Sequence, residues 1–233
     1  TFSTEAKVSY RDYSAVRTAA SQLPAIGVRF GNNTVNLGTE QSTQANELRT
    51  ETWNAFFAGT LFLDDHTVKF GFDYEDNDIF NLFGQRVFGS YTFDSVADYA
   101  ANRASNYRYS RSNSGNIDDI AAQWGMRNVG VFIQDTWAVS NNLTLTFGLR
   151  YDEPMVKQSP AFNAAASAAF GRRNDQTIDG NGLFEPRFGF NYTFDSDRPT
   201  QLRGGVGLFQ GAAATVWLSN PYSNTGLAFT DFN

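Results

Sequence analysis

The sequence predicts an all-β fold: an antiparallel up-and-down sheet forming the wall of a transmembrane β-barrel. Three observations carry this expectation. Apolar and polar residues alternate with period two along most of the chain, as in strands with one apolar and one polar face. Short and long connections alternate between those segments, as they do in outer-membrane barrels. Aromatic residues make up 15% of the 233 residues and charged residues only 18%, a composition opposed to disorder.

Taken in order, segments 2–13 and 47–64 alternate weakly. In 67–75, Val68, Phe70, Phe72 and Tyr74 share one face, against Thr67, Lys69, Gly71, Asp73 and Glu75. In 127–140, Val129, Val131, Ile133, Trp137 and Val139 share a face on which Asp135 is the exception. In 143–152, Leu143, Leu145, Phe147, Leu149 and Tyr151 oppose Thr144, Thr146, Gly148, Arg150 and Asp152. In 183–194, Phe184, Pro186, Phe188, Phe190, Tyr192 and Phe194 oppose Leu183, Glu185, Arg187, Gly189, Asn191 and Thr193. Segment 200–210 alternates weakly and 226–232 is expected to add a strand. The total is about eight strands.

Directly opposed residues in a hairpin share a face, so parity constrains each turn. Asp65-His66 is expected as a two-residue turn, Ser140-Asn141-Asn142 as a three-residue turn, and 195–199 as a five-residue loop. Long excursions at about 14–46, 81–126, 157–182 and 211–225 then fall on the opposite rim. Within them, 94–104 and 161–170 are candidates for short helices.

A soluble sandwich also alternates, with its apolar face buried. Here the polar face mixes Gly and Thr with both signs of charge: Lys69, Asp73, Glu75, Arg150, Asp152, Glu185, Arg187 and Arg203. That mixture suits a wet or plugged lumen. Trp137, Tyr192 and Phe194 lie by the short turns, and Trp53, Tyr74 and Tyr151 lie toward the long loops. Such rings fit two aromatic girdles.

Other classes are poorly supported. A net charge of −6 gives no basic footprint for nucleic acid. Mean hydropathy is −0.39, and no apolar run approaches the roughly 18 residues of a membrane helix. The N-terminus lacks the basic start and apolar stretch of a signal peptide. There is no Cys, and the single His66 is expected to be structural, so thiolate or His-based metal sites and triads have no material. "GGVGLFQG" (204–211) lacks the Lys-Ser/Thr of a phosphate loop. Paired carboxylates such as Asp152 and Glu185 do not by themselves make a glycosidase. No enzyme and no catalytic residue is expected. No cofactor or metal is expected either; Asp73, Glu75, Asp76 and Asp78 are the foremost candidate oxygen ligands for Ca²⁺, with Asp175, Asp179 and Asn181 a second group. Neither set has a defined ligand spacing.

The stretch "VGVFIQDTWAVSNNLTLTFGLRYD" (129–152) resembles the barrel hairpin of TonB-dependent outer-membrane receptors, in which "Q-D-x-W" precedes a short turn, "L-T-L" and "G-x-R-Y-D". Gln134, Asp135 and Trp137 carry the first part; Leu143-Thr144-Leu145, Gly148, Arg150, Tyr151 and Asp152 carry the second. "HTVKFGFDYE" (66–75), "EPRFGFNYTFD" (185–195), "LRGGVGLFQG" and "VWLSNPYSNTG" look like the Oar-like, OmpA-related subgroup. These stretches cover somewhat under half of the chain. The family's plug domain, TonB-contacting box and terminal aromatic strand signature are absent from these residues. The resemblance therefore implies that 1–233 is a partial barrel domain, a fragment of a wall of about 22 strands.

It further implies a transporter in the outer membrane of a Gram-negative bacterium, taking up a ligand through a plugged, gated barrel. Its partners would be the lipid bilayer and lipopolysaccharide, its own plug domain, and the TonB complex through an N-terminal region outside these residues. Siderophores, vitamin B12, sugars and peptides are all carried within the family, and the Oar-like resemblance leans toward peptides or proteins. The lumen charges named above would pair with one another, meet the plug or bind substrate. Ligand capture would fall to long-loop aromatics: Phe80, Phe83, Phe88, Tyr91, Tyr107, Tyr109, Trp217 and Tyr222. An alternative of another class is a surface protein whose barrel anchors adhesive loops.

Overall fold

The computed structural model describes all 233 residues. In chain order the strands begin with β1 (Phe2–Arg17), β2 (Ala25–Phe30), β3 (Asn33–Leu37), β4 (Ala45–Leu63), β5 (His66–Gly84) and β6 (Ser90–Phe93). After helix α1 (Val96–Ala100) come β7 (Asn106–Ser112), a 3-10 turn at Ile117–Ile120, β8 (Ala122–Ala138) and β9 (Leu143–Val156). Helix α2 (Ala164–Phe170), β10 (Leu183–Phe194), β11 (Thr200–Gly207), helix α3 (Thr215–Ser223) and β12 (Phe229–Phe232) complete the chain.

Two sheets result. Seven strands form an antiparallel wall in the order β1-β4-β5-β8-β9-β10-β11, so the wall strands neighbour one another in the order in which the chain reaches them. The long connections build a second sheet, ordered β12-β7-β6-β2-β3, in which β2 and β6 run parallel. The wall thus has seven strands, one fewer than expected. Residues 226–232 yield only β12, which pairs with β7. This segment is too short to cross a bilayer, and its polar groups are bound in the loop sheet: Ser110 and Arg86 both donate to Asp231.

Two of the three expected turns stand where parity put them. Phe194 opposes Thr200 across 195–199, and Ala138 opposes Thr144 across 139–143, the register that turns the chain at 140–142. The side-chain amide of Asn142 donates to Thr193 O at 2.9 Å, tying these neighbouring turns together. The third turn is Asp64-Asp65 rather than Asp65-His66, with Leu63 opposite His66 and Leu61 opposite Val68. Asp64 adopts φ 39°, a left-handed conformation that Asp tolerates well. Faces are conserved because the register moved by an even number of residues.

The strands outrun their expected ends. β4 and β5 have 19 residues each, about 60 Å at roughly 3.3 Å per residue, whereas about 9–11 tilted residues cross the hydrocarbon. The surplus projects on the long-loop side, so Phe80 and Phe83 stand on β5 rather than in a loop.

The apolar face of the wall is not a protein core. Phe70, Phe147 and Phe188 are 37%, 44% and 40% exposed, and Val131 and Ile133 beside them are open as well. Packed apolar residues gather instead at the long-loop end, where Ile79, Ala122 and Trp124 form a small cluster. A continuous apolar surface of this extent requires an apolar solvent. No helix is long and apolar enough to cross a membrane; the wall crosses with strands.

Candidate functional site

The register places Lys69, Asp73, Glu75, Arg150, Asp152, Glu185, Arg187 and Arg203 on one face of the wall, opposite the exposed phenylalanines. Their contacts form a network across adjacent strands. Asp73 on β5, Gly130 on β8 and Asp152 on β9 lie in one row. Arg150 reaches over β8 to Asp73, with Nη1 and Nη2 at 2.5 and 2.9 Å from its two oxygens. Its Nε also donates to Asp152. The crossing depends on the missing side chain at Gly130, where a Cβ would lie 2.1 Å from Arg150 Nη2.

Beside this cluster, Glu185 is 1% exposed. It accepts from Arg187 Nη2 at 2.6 Å and from the backbone N–H of Gln210 at 2.9 Å, so both oxygens of a buried carboxylate are satisfied. The Arg187 guanidinium lies over the Phe209 ring, 4.5 Å from its centroid. Toward β1 the network continues through neutral groups: Arg11 donates to Thr52, Thr52 to Asn77, and Asn77 to Glu75. Nearer the short turns, Lys69 and Lys7 both meet Glu5 and flank the Phe56 ring at 5.9 and 5.7 Å. Arg203 makes no ion pair. Around Arg150 and Arg187 stand Asp73, Glu75, Asp152 and Glu185, lining an open hollow of about 250 Å³ with a surplus of negative charge.

Strand alternation divides the acidic run of β5. Asp73 and Glu75 join the polar face; Asp76 and Asp78 point to the other. There, Arg127 donates to Asp76 at 3.3 Å, and Lys157 reaches Asp78 at 2.9 Å over Gly125. In the second acidic group Asp179 accepts from the Val156 amide at 2.7 Å. The Arg173 guanidinium holds the Asp175 carboxyl below the usual range. His66 opens β5 and binds Asp135 through Nδ1 at 2.7 Å, stacked on Trp137 at 5.4 Å. That pair accounts for the carboxylate on the apolar face.

The aromatics expected in loops fall into separate groups. Tyr91, Tyr107 and Tyr109 form one row on the loop sheet that ends at Phe232, with neighbouring centroids 4.6, 6.4 and 6.1 Å apart. Trp217 and Tyr222 lie on α3, where Tyr222 stacks on Trp124 at 5.2 Å. Phe80 lies under the Arg49 guanidinium. Phe83 stands near Arg86 and Phe229. The amide of Phe88 donates to Gln44 Oε1 at 2.7 Å.

An apolar outer face, a charged inner face and consecutive antiparallel hairpins define the wall of a membrane β-barrel. The sequence profile of the outer membrane beta barrel domain family matches residues 3–231, and the chain belongs to that family. It is accordingly a protein of the outer membrane, with short turns toward the periplasm and long connections outside. Among solved structures, the chain is similar to the copper transporter OprC, with 20% identity, a TM-score of 0.48, and coverage of 88% of this chain and 26% of that one. The chain therefore spans about a quarter of that protein's length. No curated protein matches the chain.

Proposed function

We propose that this chain is a wall segment of a TonB-dependent outer-membrane transporter of the Oar-like subgroup, carrying a ligand inward through a plugged, gated barrel. The observation that carries the reading is the state of the wall's edges. β1 and β11 do not pair with each other, and an open edge in hydrocarbon leaves N–H and C=O groups unsatisfied at several kcal/mol each. Residues 1–233 are thus read as part of a larger barrel, of about 22 strands by family resemblance.

The inner network supports the same reading. Charges held between neighbouring strands give a rigid wall, and the negative surplus near Glu75 offers a docking face for a plug. TonB, energised from the inner membrane, would displace that plug. The loop aromatics would capture ligand, with peptides or proteins as the class the subgroup resemblance favours. Lipopolysaccharide would surround the outer half of the apolar face. No catalytic step, metal or cofactor is assigned.

The test is uptake of a fluorescently labelled peptide library by cells expressing the full-length gene, compared with cells lacking it. Accumulation in the periplasm that disappears on deletion of the gene, on loss of TonB, or with a protonophore is the expected outcome. Surface binding that survives the protonophore, with no accumulation, would replace transport by the second reading, a barrel anchoring adhesive loops. The ordered five-stranded loop sheet is the observation favouring that alternative.

A further inference from the structure

α3 encloses a cleft against the outer end of the wall. The indole N–H of Trp124 donates to Ser219 Oγ at 2.9 Å, and the Tyr222 hydroxyl donates to the Gln158 carbonyl at 2.7 Å. These bonds seat the helix on β8 and consume the polar atoms of both aromatic walls. Between α3, the end of β9 and residues 176–178 remains a space of about 230 Å³, bounded chiefly by Trp124, Val156, Ile178, Trp217, Leu218 and Tyr222. No ionisable side chain other than the already bonded Tyr222 lines it. Gln176 stands at its margin with an amide that makes no hydrogen bond within the fold, and Trp217 is 71% exposed.

We propose that this cleft binds an uncharged, ring-sized apolar group, with Trp217 as its outer wall and the Gln176 amide and Thr177 hydroxyl as its hydrogen-bonding contacts. The site deepens the transport reading and rests on it for the identity of the cargo: the group belongs to the imported molecule. Three features select the occupant. The space is smaller than the roughly 300–1,000 Å³ of sites that enclose whole drug-sized ligands, so it takes one group of a larger molecule. Its walls present carbon, so an ionised group would lose hydration without gaining a partner. Its stacked Trp124 and Tyr222 rings, with Trp217 beside them, favour flat or branched apolar shapes.

The test uses the full-length protein in lipid nanodiscs and equilibrium dialysis against benzamide and benzoate, two probes that share a ring and differ in charge. Empty nanodiscs correct for partition into lipid. Saturable binding of benzamide is expected, with benzoate at least about tenfold weaker. Trp217→Ala, at a position too exposed to hold the fold together, is expected to weaken benzamide about tenfold, and Gln176→Ala by a smaller factor. Equal binding of benzoate, or unchanged binding in Trp217→Ala, would overturn the assignment. Absence of saturable benzamide binding would overturn it too, meaning that the protein's own chain fills the cleft. Benzamide binding without protonophore-sensitive peptide uptake would remove transport and leave the cleft. Uptake without benzamide binding would do the reverse.

Discussion

Arg150 serves carboxylates on two strands because the residue between them has no side chain. Its guanidinium spans from β9 to β5 over Gly130, and the crossing converts three strands into one unit at that height. Gly130→Ala would force the guanidinium away and leave Asp73 without its partner. The expected loss is about 1–3 kcal/mol, below the roughly 3–5 kcal/mol of a fully buried pair broken from one side, because Arg150 and Asp73 are both partly exposed to solvent. Gly148→Ala is the matched control: its Cβ would meet nothing nearer than 3.7 Å, so little change is expected. Urea unfolding in lipid vesicles separates the two. The inward face of Arg150, Asp152 and Arg187 could be read from alternation, since each follows its strand's parity. Who bonds to whom could not, because the crossing depends on register between strands, and the Gln210 amide that satisfies Glu185 comes from beyond the end of β11.

At the scale of the element, the wall was legible and the loops largely were not. Two solvents, lipid outside and a charged interior, impose period two on every wall strand. Parity then fixes which faces meet, but it cannot distinguish registers that differ by two residues. That is why the first turn is expected one residue too late, on Asp65-His66 rather than Asp64-Asp65. The loop sheet was hidden for a different reason: β2 pairs with β6 more than 60 residues away, and neither alternates long enough to stand out. α3 was hidden as well. Its sequence contains Pro221, and its place is set by Trp124 rather than by helix propensity.

One loop element should respond to acid. In the turn before β4, the backbone N–H of Ser42 holds the Glu40 carboxyl below its ordinary range, with the Thr43 hydroxyl adding to the effect. A carboxyl depressed by folding contributes stability at neutral pH, and loses that contribution as pH falls through the depressed value. The turn positions Gln44, which binds Gly89 O and the Phe88 amide. Hydrogen exchange at Phe88, compared with neighbouring amides to remove intrinsic pH effects, is therefore expected to accelerate below about pH 4. Glu40→Gln should abolish that acid dependence.

At the scale of the whole molecule, the two faces of the wall should tolerate charge very differently. Val131 lies near mid-height of the apolar face and is half exposed, so Val131→Lys is expected to cost about 2–4 kcal/mol of folding stability in vesicles. Thr146→Lys, on the charged face, is expected to cost well under half of that. Equal costs would mean that the greasy side does not meet lipid. The loop sheet has a separate consequence, for immune recognition. Its strands come from 25–37, 90–112 and 229–232, so an antibody footprint that reaches beyond the β2–β3 hairpin is conformational. Sera raised against a synthetic 25–37 peptide should recognise intact bacteria poorly, whereas sera raised against the folded protein should lose binding once residues 229–232 are deleted.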